Sequence, residues 1–247
     1  MDRERILITV RTYPTISSRH LETVCTGGIN DKGEWRRLVP VPLRYLEAYR
    51  QYKTFDVVQV SLQPGHDGRP ETRTPHLPSL RRIEHLSSWQ ARHDWVNPTT
   101  FPSLPDLQDA GRTLGPVAVK RVFGIQARRT APQWTALQET KLRQANLFDE
   151  RKPLEKLPYQ FHVEWEDTKG HEHRSLVLAW EMLETYRRYR QRYNDPIEKM
   201  KEKWLGGLFA QHRRLSFFMG NLANRRQVFC ICGWFAPPLK EIEHGLF

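Results

Sequence analysis

The chain has 247 residues, and its 39 Lys and Arg against 28 Asp and Glu give a net charge of +11. Apolar residues make up 38%, with eight Trp and eleven Phe, so the composition excludes a wholly disordered chain. No stretch approaches the roughly 20 consecutive apolar residues of a membrane span. Three cysteines give no disulfide framework. We therefore expect a folded cytoplasmic protein that attracts polyanions, of which nucleic acid is the commonest.

The first quarter of the chain predicts strands separated by turns. Residues 6–10 are apolar and β-branched, and residues 24–29 and 34–40 flank the turn-forming run Asn-Asp-Lys-Gly. Residues 55–62 alternate between apolar and polar side chains, which is typical of a half-buried strand. Residues 63–115 then change character because prolines recur through them. We predict a long Pro-rich connection there, with one or two short helices around residues 81–92.

The second half predicts further strands and most of the helix. Strands are expected at residues 117–127, 159–166, 171–178, 215–220 and 227–235, and helices at residues 133–146, 179–193 and 196–204. This interrupted, strand-rich pattern favours an α+β fold of two small β-barrel lobes with inserted helices over a doubly wound sheet. The predicted division is an N-terminal lobe over residues 1–127, a helical linker over residues 128–154 and a C-terminal lobe over residues 155–247.

Several short segments at the two ends of the chain carry a family resemblance. They are VCTGGI (24–29), GEWRRLVP (33–40), FDVV (55–58), FFMGNL (217–222) and FCICGWF (229–235), together with the strand at residues 6–10. These segments resemble the dual-OB-like bacterial proteins that are linked to nucleic acid or its modification, and a relative of those proteins found around phage-defence genes. The resemblance implies a pair of OB-like barrels and a nucleic-acid-linked role, and it brings no catalytic residues with it.

The candidate binding residues are arginines that lie close to aromatic residues or to predicted turns. Arginine binds phosphate bidentately and stacks on bases, and tryptophan also stacks on bases. The predicted nucleic-acid-binding residues are Trp35, Arg36, Arg37, Arg44, Arg187, Arg188, Arg190, Arg213, Arg214, Arg225 and Arg226. Two alternatives stay open: Trp35 belongs to the core, and the arginines only solubilise the surface.

Metal and catalytic sites have weaker signals. Cys230 and Cys232 share one strand face and would need His171 and His173 to complete a zinc site, but the spacing matches no common finger. Carboxylates that could bind Mg²⁺ in a nuclease are Asp56, Glu71, Glu164, Glu166 and Glu181, none at a diagnostic spacing. We therefore assign no catalytic residue, no metal and no cofactor.

The sequence thus favours a non-enzymatic nucleic-acid-binding accessory protein, as a subunit of a DNA-processing or phage-defence assembly. Binding would rest on phosphate neutralisation and aromatic stacking, with DNA or RNA and possible protein subunits as partners and no membrane. The alternatives are a metal-dependent nuclease or nucleic-acid-modifying enzyme, and a structural scaffold that binds an acidic protein.

Overall fold

The first structural unit is a closed five-stranded barrel in the N-terminal part of the chain. The computed structural model describes residues 2–16, 22–131, 133–146 and 154–242. The barrel strands are β1 (Asp2–Arg11), β2 (Val24–Asn30), β3 (Trp35–Val41), β4 (Asp56–Pro64) and β5 (Thr72–His85). They are joined in the order β1-β2-β3-β5-β4, with β4 returning to β1. The β3–β5 contact is parallel and the other contacts are antiparallel.

The alternation seen in the sequence places one face of each strand inside the barrel. Ile6 and Ile8 of β1, Leu38 of β3, and Val58 and Val60 of β4 are at most 1% exposed and form one apolar cluster. Each such side chain contributes about 1.5–3 kcal/mol when it is fully buried. The barrel interior is therefore a packed core.

The prediction that residues 63–115 form a Pro-rich connection is wrong, because this segment contains β5, the strand that closes the barrel. β5 accommodates Pro78 through an irregularity: its pairing with β4 shifts between His76 and Arg81, whereas Pro75 keeps its place opposite Leu62. The Ser79 side chain fills the gap by accepting a hydrogen bond of 2.8 Å from the Ser61 backbone N–H. Proline is tolerated in strands at such bulges, since no ladder hydrogen bond is required there.

The second unit is a five-stranded sheet with the order β10-β9-β6-β7-β8. Its strands are β6 (Leu114–Arg129), β7 (Tyr159–Asp167), β8 (Glu172–Leu176), β9 (Ser216–Leu222) and β10 (Arg225–Phe235). The sheet curls into a half-barrel, because the Leu178 N–H, beyond β8, donates a 2.8 Å hydrogen bond to the Ile231 carbonyl of β10. The prediction of two barrels is thus confirmed for the first lobe, and the second is a half-barrel. β6, expected in the N-terminal lobe, pairs with β7 and β9 of this sheet.

Among the residues that the structure describes, five α-helices connect these strands. They are α1 (Trp89–Val96), α2 (Leu104–Asp109), α3 (Ala136–Asn146), α4 (Trp180–Tyr189) and α5 (Pro196–Lys203). The side chains of Ser88, Ser103 and Asp195 cap the first turns of α1, α2 and α5 by accepting backbone hydrogen bonds. Across the residues that the structure describes, no helix is both long and apolar enough to cross a bilayer.

The two units pack against each other through a shared apolar cluster. Ile29 and Trp35 on the outer face of the barrel meet Leu114, Phe218 and Cys232 of the second sheet, and all five are at most 6% exposed. The rings of Trp35 and Phe218 have their centroids 5.5 Å apart. The outer face of β2 and β3 is therefore covered by protein.

A buried polar clamp lies beside this cluster. Arg37 is 1% exposed and donates to the Thr113 hydroxyl at 3.0 Å and to the Thr113 carbonyl at 2.6 Å. Glu71, which is 2% exposed, accepts from the backbone N–H and the hydroxyl of the same threonine. These hydrogen bonds satisfy the buried side chains of Arg37 and Glu71, whose charges would otherwise oppose the packing of the two units.

Candidate anion-binding cleft

A cleft of about 450 Å³ lies between the second unit and the segment of α1 and the residues after it that connects the two units. We call it the Arg213 cleft. One wall comes from the end of α1 and the segment that follows it, with His93, Thr100 and Phe101. The other comes from the segment before β9, with Arg213 and Arg214. None of the described residues that line the cleft carries a carboxylate, so its electrostatic character is positive.

Arg213 is fixed in the wall with part of its donor capacity unused. Its Nη1 donates to the Ala236 carbonyl at 2.7 Å, which anchors the guanidinium to the end of β10. Its Nε is buried and has no hydrogen-bond partner in the described structure. A buried unpaired donor costs free energy, so this atom favours an acceptor that arrives with a ligand.

Arg214 and His93 complete the basic side of the cleft. Arg214 is exposed, and its side chain has no ion pair among the described residues. Burial, followed by the positive charge of Arg214, lowers the pKa of His93 below its ordinary value, so the imidazole is neutral near pH 7. Its buried Nε2 likewise has no partner in the described structure. The cleft therefore offers the exposed guanidinium of Arg214, and the unpaired nitrogens of Arg213 and His93 are buried in its walls.

A second cleft of about 380 Å³ continues from the first, since Thr100 and Phe101 line both. It adds the exposed cations Lys32 and Arg112. Its one carboxylate, Glu34, already bonds the Arg36 guanidinium. The two clefts together form a basic path along residues 97–102.

The Trp35-Arg36-Arg37 group, predicted to contact nucleic acid, lies under the second unit. Trp35 is 6% exposed and donates through Nε1 to the Thr99 hydroxyl at 3.1 Å. Arg36 is 9% exposed and pairs with Glu4 at 2.8 Å. Arg37 belongs to the clamp described above. These three side chains make internal contacts and are at most 9% exposed, so they are not available to a strand on the surface.

Three other predicted arginines meet in a separate cleft of about 370 Å³. Arg44 approaches from the barrel, and Arg187 and Arg188 from α4. Arg187 and Arg188 both bond the Glu184 carboxylate, at 2.7 and 2.8 Å, and this pairing lowers the pKa of Glu184. Arg44 pairs with Glu22 at 2.8 Å, and Arg190 pairs with Glu155. Since carboxylates offset these charges, this cleft is a weaker anion site than the Arg213 cleft.

The remaining predicted pair lies at the start of β10. Arg226 donates to the Asp67 carbonyl at 2.7 Å and so ties the second unit to the β4–β5 loop of the barrel. Arg225 is exposed. The structure thus brings Arg213 and Arg214 together in one cleft and places Arg225 and Arg226 elsewhere, where Arg226 contacts the barrel.

The candidate metal ligands do not converge. Cys230 and Cys232 are buried, and burial raises the pKa of the Cys230 thiol to about 11. Glu166 bonds Lys120 and Arg121, and Glu164 accepts from Gln126. Within the described ranges, no group of three or more His, Cys, Asp or Glu side chains is arranged to hold a metal ion.

The sequence reasoning missed the wall formed by His93, Thr100 and Phe101. These residues lie in the stretch that the prolines marked as a connection, and their neighbours in the chain give no periodic signal. The available clue was Arg213-Arg214, a basic pair with no acidic residue nearby in the sequence. Only the packing of α1 against Phe235, at the end of β10, shows that the two segments face one cavity.

Comparison with known families divides the chain into two adjoining regions. Residues 2–98 match the model of a domain of unknown function (DUF8758), and residues 99–247 match the model of a second domain of unknown function (DUF8757). The two models meet within the segment that follows α1. No curated protein is significantly similar to the chain. Because the second model covers more than half of the sequence, the chain belongs to the family of the domain of unknown function DUF8757.

Proposed function

We propose that this protein binds nucleic acid without acting on it chemically, and that the Arg213 cleft holds the phosphate backbone. The observation that carries the proposal is the cleft itself, which combines Arg213, Arg214 and His93 with no lining carboxylate among the described residues. Guanidinium groups bind phosphate oxygens with directed hydrogen bonds. The net charge of +11 supplies a long-range attraction for the same ligand.

The barrel supports the proposal and also limits where the ligand can lie. Its order β1-β2-β3-β5-β4, with β3 parallel to β5, supports an OB-like assignment. Barrels of that class bind oligonucleotides on the face of their second and third strands. Here Leu114 and Phe218 cover that face. We therefore place the strand along the Arg213 cleft and its continuation past Lys32 and Arg112, beside the usual face.

A place in a DNA-processing or phage-defence assembly remains part of the proposal. It rests on the resemblance of the terminal segments to dual-OB-like proteins. The cleft adds one argument in its favour, because a non-catalytic phosphate site suits a subunit that presents a strand to a partner enzyme.

The test is binding of labelled 15-nucleotide DNA and RNA, single- and double-stranded, over a salt series with Mg²⁺ or with chelator. We expect binding that weakens steeply with salt and leaves the probe intact. Arg214→Glu should weaken binding about tenfold and reduce the salt slope by roughly 0.7–0.9, because one phosphate is no longer neutralised. Arg82→Glu is the matched control, since Arg82 is exposed on β5, outside the cleft, and its substitution changes the net charge equally.

Three results would contradict the proposal. One is the absence of binding at low salt, which would leave a scaffold for an acidic protein as the better explanation. Another is an equal effect of both charge reversals, which would mean that only net charge matters. The third, shortened products that form with Mg²⁺ and disappear with chelator, would favour the nuclease instead.

A further inference from the structure

A second, smaller cavity of about 170 Å³ lies between the barrel, α1, α4 and the end of β10. We call it the aromatic pocket. Its walls include Phe55, Trp89 and Trp234, and its polar groups are Thr9, Thr54 and Glu181. The volume is well below the roughly 300–1,000 Å³ of sites for drug-sized ligands, so it suits a single small ring system.

The backbone holds one wall of this pocket in an unusual conformation. Phe55 has a φ of 69°, in the left-handed region that bulky side chains rarely adopt. Two hydrogen bonds keep it there: its N–H donates to the Ile8 carbonyl at 2.6 Å, and its carbonyl accepts from the Leu86 N–H at 2.9 Å. Such outliers persist where the surroundings determine them, and they cluster at ligand sites.

The polar groups of the pocket have unused capacity. Thr9 is 1% exposed, and its hydroxyl has no hydrogen-bond partner in the described structure. The Glu181 Oε1 accepts from the Thr54 hydroxyl at 2.7 Å and from Arg11 Nη2 at 3.3 Å. Oε2 of the same carboxylate has no such bond among the described residues, so it can accept from a ligand.

The charges around the pocket decide the class of ligand. Three aromatic rings and a carboxylate would also suit an alkylammonium ion. However, Arg11 already pairs with Glu181, and the Arg92 guanidinium lies 4.3 Å from the centre of the Phe55 ring and 4.9 Å from that of Trp89. A second cation would be repelled by both arginines. A flat neutral ring that carries N–H donors meets the rings, the carboxylate and the hydroxyl without that repulsion.

We propose that the aromatic pocket binds one neutral nucleobase, which donates N–H groups from its pairing edge to Glu181 and stacks on the aromatic walls. Guanine carries two adjacent donors at this edge, its N1–H and its 2-amino group, whereas adenine and cytosine carry only an amino group and thymine only its N3–H, so we expect guanine to bind best. The pocket adjoins the Arg213 cleft: Ala236 lines the pocket and its carbonyl accepts from Arg213, while the Phe235 ring lines the cleft and packs 5.8 Å from Trp89. That the base belongs to a bound strand rests on the proposed function; a free nucleoside is the other source.

The experiment measures the binding of labelled 12-nucleotide thymidine oligomers whose central residue is guanosine or is abasic, and of free guanosine by calorimetry. The native protein should bind the guanosine oligomer about tenfold more tightly than the abasic one. Trp89→Leu should bring the ratio of these two affinities close to one, and Thr9→Val should reduce the ratio severalfold. Trp134→Leu is the control, because Trp134 lies outside the pocket and should leave the ratio unchanged.

The outcomes separate this inference from the proposed function. Equal binding of the two oligomers would overturn the base pocket and leave phosphate binding intact. Another outcome is that the protein binds free guanosine, loses this binding in Trp89→Leu, and binds no oligomer. It would support the base pocket and contradict the proposal that the protein binds a nucleic-acid strand. Binding of a trimethyllysine peptide that depends on Trp89 would overturn the assigned ligand class. If Trp89→Leu does not fold, Thr9→Val, which replaces one hydroxyl by a methyl group, decides the question.

Discussion

At the scale of single residues, Arg37 shows how a basic side chain next to a tryptophan can serve packing. Alternation along β3 puts Trp35 and Arg37 on the same face, as the sequence predicted, and the second unit covers that face. The guanidinium then bonds Thr113, which Glu71 holds from the other side. A charge removed from water in this way is stable only while its partners remain.

We expect Arg37→Leu to lower the free energy of unfolding by about 3 kcal/mol, because it removes the donors that the buried guanidinium gives to the hydroxyl and the carbonyl of Thr113. The measurement is urea denaturation at neutral pH. Arg82→Leu, at an exposed position on β5, is the control and should change stability by less than about 0.5 kcal/mol. A destabilisation by Arg37→Leu no larger than the control's would mean that the clamp contributes nothing.

At the scale of elements, the β7–β8 hairpin depends on one carboxylate. Asp167 is fully buried at the end of β7 and accepts from the backbone N–H groups of Lys169 and His171, both at 3.0 Å. His173 Nε2 lies 2.9 Å from the same carboxylate. Burial opposes ionisation, but the hydrogen bonds from His173 and from the backbone outweigh it and lower the pKa of Asp167 below its ordinary value. The ionised carboxylate therefore organises the turn.

The lowered pKa gives the hairpin a pH dependence of known sign. Because the pKa of Asp167 is lower in the folded state than in the unfolded state, its ionised carboxylate stabilises the fold at pH values above the unfolded-state pKa of about 3.9. This stabilisation is lost as the pH falls through the folded-state pKa. We expect Asp167→Asn to cost about 2 kcal/mol at pH 7, with the difference from the native protein shrinking below about pH 4.

Urea denaturation of both proteins at pH 7 and pH 3 measures this difference. Asp109→Asn, at the exposed end of α2, should change little at either pH. A cost of Asp167→Asn that is the same at both pH values would contradict the assigned role of the ionised carboxylate.

At the scale of the whole molecule, the two units are joined by a common core. The cluster of Ile29, Trp35, Leu114, Phe218 and Cys232 draws on both, so neither unit can separate from the other without exposing apolar surface. The polar links across the interface, from Arg37 and Arg226, would be broken by the same separation. The Arg213 cleft lies between the second unit and the connecting segment over residues 93–102, so its shape depends on that segment staying packed against the second unit.

We therefore expect the chain to unfold in one transition even though two family models divide it near residue 98. Far-ultraviolet circular dichroism and tryptophan fluorescence should give the same midpoint, and the calorimetric and van't Hoff enthalpies should agree. Two separated transitions would show that the barrel and the half-barrel are stable independently and that the shared core is weak.

The sequence by itself determined the elements whose signals are local. Period-two alternation located most strands of both units, and turn residues placed the β2–β3 and β7–β8 hairpins, because neighbouring side chains reveal a strand wherever one face is buried. The net charge predicted an anionic partner, which stays a prediction.

The tertiary structure decided the rest. β5 was hidden because it contains prolines, of which Pro78 lies at a bulge against β4. The burial of Arg37 depends on a sheet that begins about 75 residues later. The Arg213 cleft joins segments about 115 residues apart, and such long-range packing leaves no trace in local periodicity.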